Sequence, residues 1–78
     1  MDTITYRAVI DKTQIAFLNS IIESYDGIAV VRTQDAPAGI IELWIAPAFE
    51  ETVNNIMQNI AGEIGLKSYY RAQHRLSP

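Results

Sequence analysis

The order of apolar patterns along this 78-residue chain predicts an α+β sandwich, a βαββαβ succession that builds an antiparallel sheet with two helices on one face. Three observations carry that expectation. Two segments repeat apolar residues three and four apart, as a helix with one buried side requires. Four segments alternate from residue to residue, as a strand with one buried face requires. Glycine, proline and aspartate stand between them, where the chain must reverse.

Ile4 to Ile10 is the first alternating segment, with Ile4, Tyr6, Ala8 and Ile10 on one face and Thr5, Arg7 and Val9 on the other. Asp11 then stands three residues before Gln14, a capping-box-like pair able to satisfy orphan amides at a helix start. Ile15, Leu18, Ile21, Ile22 and Tyr25 form the stripe of the first helix, and Gly27 is expected to end it. Ile28 to Thr33 is rich in β-branched residues and reads as the second strand. Asp35-Ala36-Pro37-Ala38-Gly39 carries turn chemistry. In the third strand, Ile40 to Ile45, one face holds Ile41, Leu43 and Ile45 and the other Ile40, Glu42 and Trp44, so strands two and three should form a hairpin.

Pro47 suits a first helical turn, where the amide it lacks would be unpaired anyway, and Glu50 and Glu51 complement the helix dipole. Phe49, Val53, Ile56, Met57, Ile60, Ala61 and Ile64 carry the second helix for four turns, and Gly65 closes it. Gly62 inside it should cost about 1 kcal/mol relative to alanine, unless close packing needs it there. Lys67 to Ala72 reads as a fourth strand, with Tyr69 and Arg71 on one face and Ser68 and Tyr70 on the other. Residues 73–78 read as a flexible tail. With right-handed crossovers these elements give a single ferredoxin-like domain over residues 1–78, spatial strand order 4-1-3-2. Its expected core is the two helical stripes with Ile4, Tyr6, Ile10, Ile41, Leu43 and Ile45. The inward phase of the first two strands stays open at this level.

The chain has no cysteine, so no disulfide, and that composition fits a reducing cytoplasm. A formal charge of −3 and a pI near 4.8 argue against nonspecific attraction to nucleic acid or anionic lipid. No apolar run approaches the roughly 20 residues of a membrane span, and Met1-Asp2-Thr3-Ile4 opens unlike a signal peptide. A cytoplasmic protein that binds neither nucleic acid nor membrane is the expectation.

Catalytic chemistry finds no constellation to work with, and no enzyme is expected. His74 lies in the tail beside Arg75, and Ser20, Ser24, Ser68 and Ser77 have no histidine placed to activate them. No converging set of ligands suggests a metal, the glycines form no phosphate loop, and no cofactor is expected. Glycine–aromatic signatures of an RNA-binding sheet are missing as well.

The sheet's second face is the more informative surface. If the helices cover one side, Arg7, Val9, Ile40, Glu42 and Trp44, with Arg32 or its neighbours, lie on the other. A tryptophan and aliphatics rimmed by charge describe an interface. The expected partner is a second copy, in a homodimer or larger homo-oligomer, or another protein. The competing reading has Trp44 partly covered by the chain's own tail. Arg32 and Thr33, just before the turn, are a candidate anion grip; the plainer role for Arg32 is an ion pair with a carboxylate such as Glu42.

The run Tyr25-Asp26-Gly27-Ile28-Ala29-Val30-Val31-Arg32-Thr33, with Gly39 to Ile45 and Ala46-Pro47, resembles a group of short bacterial domains of unknown function. Their layout looks like the ACT domain, a ferredoxin-like regulatory module that pairs between subunits and binds amino acids at the interface. ACT effector loops usually place a glycine between strand one and helix one, where this chain has Asp11-Lys12-Thr13-Gln14. The resemblance implies a small-molecule sensor, for an amino acid or anion, with its ligand between protomers. The residues alone imply an interaction module that works by self-association.

Overall fold

The structure, a computed structural model, describes residues 3–72. The chain runs β1 (Ile4–Val9), α1 (Ile15–Glu23), β2 (Ala29–Asp35), β3 (Ile40–Ile45), α2 (Glu50–Ile64) and β4 (Ser68–Arg71), with a 3₁₀ turn before each helix. One sheet holds all four strands in the order β2-β3-β1-β4, every neighbour antiparallel. This is the expected ferredoxin-like order, and the fourth strand pairs with β1 from Tyr6↔Arg71 to Val9↔Ser68.

Register decides which face is which. Ala8 lies opposite Ile41 and Tyr6 opposite Leu43, and all but Tyr6 are fully buried. On the other side of β3, Val31 pairs with Leu43 and Ala29 with Ile45, which settles the phase of β2. The core is Ala8, Ile10, Leu18, Ile22, Ile28, Ile41, Leu43, Ile45, Val53, Met57 and Ile64. Ile4 and Tyr6, expected inside, are partly buried at its margin. Burying a side chain of this class is worth about 1.5–3 kcal/mol, so this one-sided core dominates stability.

Both helices begin differently from the expectation. Asp11 Oδ1 accepts from the Thr13 amide at 2.9 Å and the Thr13 hydroxyl at 2.8 Å, capping the 3₁₀ turn Lys12–Gln14. The reciprocal arm of a capping box is not made. Gln14 turns its side-chain amide to the Thr13 hydroxyl, and the Asp11 amide donates instead to the Ile64 carbonyl at 2.9 Å. The hydrogen bonds from the Thr13 amide and hydroxyl hold the Asp11 carboxyl below the usual aspartate range. Pro47 starts a second 3₁₀ turn, which leaves Phe49 outside the helix and exposed rather than in the core.

The first helix is also shorter than its pattern. It ends at Glu23, where the Ser24 hydroxyl donates to the Ile21 carbonyl at 2.6 Å, so Tyr25 falls off the stripe and is exposed. Gly27 therefore shapes the loop into β2 and does not cap α1. Gly65 does cap α2, at φ +62°, with the Leu66 amide reaching back to the Ala61 carbonyl at 2.9 Å.

Gly39 is the position where a side chain is excluded. It sits at φ +72°, its carbonyl accepts the Ile10 amide at 2.9 Å, and a Cβ there would collide with the Ile10 carbonyl oxygen. Gly62 is the reverse case: exposed on α2, with open space where a Cβ would stand, so no packing reason offsets its helix penalty. Urea denaturation should show Gly62→Ala more stable than the parent by about 1 kcal/mol and Gly39→Ala less stable by about 2 kcal/mol or more.

Candidate interaction face

The face of the sheet away from the helices carries side chains in three cross-strand rows. Arg32 of β2 pairs with Glu42 of β3, Glu42 with Arg7 of β1, and Arg7 with Tyr70 of β4. On one side of that row run Val30, Trp44 and Thr5; on the other run Asp35, Ile40, Val9 and Ser68. Strand alternation puts these on one surface, because their neighbours Val31, Ile41, Leu43, Tyr6 and Ala8 belong to the core side, and for Asp35 the register shift after Thr33 brings it opposite Ile40.

The middle row is tied to Trp44 through Glu42. One carboxylate oxygen accepts Arg7 Nη2 at 2.9 Å, and the other accepts the Trp44 indole N–H at 3.1 Å. The Arg32 guanidinium lies 4.9 Å from the centroid of the Trp44 ring, a cation–π contact. Glu42 thus fixes the tryptophan's orientation, and Trp44 carries Arg32. Arg7 is held in its charged form first by the Glu42 carboxylate, and its side chain keeps 42% of its surface exposed. Apolar surface flanks the row: Val30 is 52% and Tyr70 51% exposed, with Ile40 and Val9 half-buried.

The expected interface residues Arg7, Val9, Ile40, Glu42 and Trp44 therefore share one surface. Arg32 joins them. Thr33 does not: it is the next residue of β2 and pairs with Ile41, a core residue, so its side chain leaves on the helix side. The strand separates the two groups that were to grip an anion together. Val30 and Tyr70 were not singled out from the sequence. Ala29-Val30-Val31 is apolar on both faces, and the side taken by Tyr70 follows only from the β1–β4 register. Beyond the β2–β3 end, Val30, Trp44, Ile28, Ala29, Ala46, Gly27 and Thr3 line an open groove of about 170 Å³.

A second polar group lies on the helix side. Tyr69 O–H donates to Asn54 Oδ1 at 2.6 Å, Asn54 Nδ2 donates to the Tyr6 hydroxyl at 3.2 Å, and Tyr6 O–H donates to Glu50 Oε2 at 2.7 Å. Arg71 lies 3.6 Å from that same carboxylate oxygen, and the two tyrosine rings stack with centroids 4.8 Å apart. Glu50, read from sequence as a dipole complement, thus also fastens α2 to β1 and β4. Each donor points to one acceptor, which is the arrangement of a clasp. Among the described residues no group of three or more His, Cys, Asp or Glu side chains could hold a metal ion, and no helix is long and apolar enough to cross a membrane. His74 and the tail lie outside the described residues.

The chain belongs to the family described as Domain of unknown function (DUF4911), whose model matches residues 9–64. That span runs from the end of β1 through α2 and includes β2 and β3 with the Arg32, Glu42 and Trp44 positions. No curated protein and no solved structure matches the chain significantly.

The clasp makes stability sensitive to alkali. Burial raises the Tyr69 phenol well above the ordinary tyrosine value, and the bond to Glu50 raises Tyr6. Folded values above unfolded ones mean the protonated phenols stabilise the fold fully below about pH 10 and lose that contribution as pH rises toward the folded values. Melting temperature should therefore fall above about pH 10. Tyr69→Phe should melt lower at neutral pH, having lost a hydrogen bond worth about 1 kcal/mol, yet decline less steeply in alkali.

Proposed function

We propose that this domain is a non-catalytic interaction module that acts by self-association through its open sheet face. The observation that carries the reading is the Arg32–Glu42–Arg7–Tyr70 row with Trp44 bonded into it. A tryptophan oriented by a carboxylate and overlaid by an arginine is already arranged for contact, so little side-chain freedom is lost on binding. Aromatic residues and arginine are also the types that dominate interface energetics.

Size sets the strength. Strands about 4.8 Å apart and about 3.4 Å per residue give a four-stranded, six-residue face of roughly 400 Å² in projection. A standard specific interface takes about 800 Å² from each partner. Association on this face alone belongs to the reversible, concentration-dependent class. The sensor reading has less behind it. The groove beside Trp44 is open and smaller than the roughly 300 Å³ at which small-molecule pockets begin.

Light scattering over a concentration series should show the mass rising from monomer toward dimer at tens of micromolar. Trp44→Glu should remain monomeric with an unchanged far-UV spectrum. Val30→Glu serves as a second probe, because Val30 is exposed at a sheet edge and its loss removes no hydrogen bond. A parent protein that stays monomeric at every concentration, with Trp44 fluorescence unchanged by dilution, would overturn the proposal.

A further inference from the structure

We infer that the second copy docks face to face about a two-fold axis running parallel to the strands, in the gap between β3 and β1. This rests on the self-association reading above and adds its geometry. The inference follows from the register. In a two-fold contact the same patch meets itself, so a residue on one side of the axis faces whatever stands equally far on the other side. For an axis between β3 and β1, each β3 residue meets the partner's β1 and each β2 residue meets the partner's β4.

The rows then pair by chemistry. Glu42 faces the partner's Arg7 and Arg7 the partner's Glu42, so the four charges around the axis alternate in sign. Arg32, already disposed against one aromatic ring, faces the partner's Tyr70, whose half-exposed ring offers a second cation–π surface. Ile40 faces the partner's Val9, aliphatic on aliphatic. Trp44 stands over the position of the partner's Thr5, which is already buried at 4% exposure within its own chain, so this row adds no open side chain to the contact. An axis perpendicular to the strands and passing through the charged row gives the opposite result. It sets each strand on its own copy, with Arg32 on the partner's Arg32 and Glu42 on the partner's Glu42. Like charges directly opposed across an interface are costly, so the register selects the first axis.

Two measurements test this. Arg7→Glu and Glu42→Arg should each weaken self-association at least roughly tenfold, because one sets four acids around the axis and the other four bases. Mixed in equal amounts, the two variants should form a heterodimer by light scattering or analytical ultracentrifugation, each chain supplying the sign the other lacks. The axis itself is read by cross-linking, since the chain has no cysteine of its own. A thiol reagent spanning about 10 Å should join Ser68→Cys chains to Asp35→Cys chains in a mixture and should join neither to itself. Both positions are exposed at the rim of the face. If the parent dimerises but the charge variants dimerise equally well, or Ser68→Cys chains join one another, the two-fold geometry is wrong while self-association stands. If the parent is a monomer, both fall together.

Discussion

A four-stranded sheet has two faces, and this chain has helices for one of them. The strand that divides the faces is β1. It lies inside the sheet, paired to β3 along its whole length and to β4 from Tyr6 to Val9. Its alternation sends Tyr6 and Ala8 toward the helices and Thr5, Arg7 and Val9 to the other side, and the register copies that choice onto every neighbour. A slip of one residue would exchange the two sets and put Arg7 among the isoleucines. Both ends of β1 are pinned against such a slip. The Ile10 amide donates to the Gly39 carbonyl, the Lys67 amide to the Val9 carbonyl, and the Ala72 amide to the Thr5 carbonyl. Gly39 is irreplaceable for this reason: the turn between β2 and β3 closes directly on the end of β1.

The polar chemistry of the molecule is divided by the same strand. On the helix side, Tyr6, Asn54, Tyr69, Glu50 and Arg71 satisfy one another and hold a four-residue edge strand that its backbone bonds alone would leave marginal. On the open side, Arg7, Glu42 and Trp44 are bonded to one another and Arg32 lies over the Trp44 ring. The Arg7–Glu42 pair is part-buried, with the Glu42 side chain 12% exposed. The self-association proposed above draws on the second group and leaves the first untouched.

What the sequence made legible follows from periodicity. Ile41, Leu43 and Ile45 alternate cleanly with Ile40, Glu42 and Trp44, so β3 and its two faces were readable, and the strand order followed from the crossover rule. Where the pattern misled, a local bond had overridden it. Tyr25 continues the stripe of α1, but the Ser24 hydroxyl ends that helix before it. Phe49 has the spacing of α2, but Pro47 winds the entry into a 3₁₀ turn. Arg32 and Thr33 are neighbours in sequence and opposites in a strand, a consequence of alternation that a motif-like reading of adjacent residues ignores. Glu50 shows the converse limit. Its bonds to Tyr6 and its approach to Arg71 join positions more than twenty residues apart, and no local pattern announces them.

The edges of the sheet narrow the choice of how such a domain meets a partner. β2 is the longest strand and lies at an edge, where unpaired amides and carbonyls invite another strand. Its ladder to β3 is broken by a bulge between Thr33 and Asp35, which twists the strand at the place where a flat edge would recruit one. Among the described residues the other edge, β4, runs from Ser68 to Arg71. Neither edge presents a long flat ladder, whereas the open face presents oriented aromatic and charged groups in register. Charge in the middle of that face also limits indiscriminate sticking, because an apolar surface that covered the row would bury Arg7, Glu42 and Arg32 without answering them. A surface that answers them sets a cation against Glu42, a carboxylate against Arg7 and an aromatic ring against Arg32, and the two-fold arrangement proposed above would draw these from the partner's Arg7, Glu42 and Tyr70.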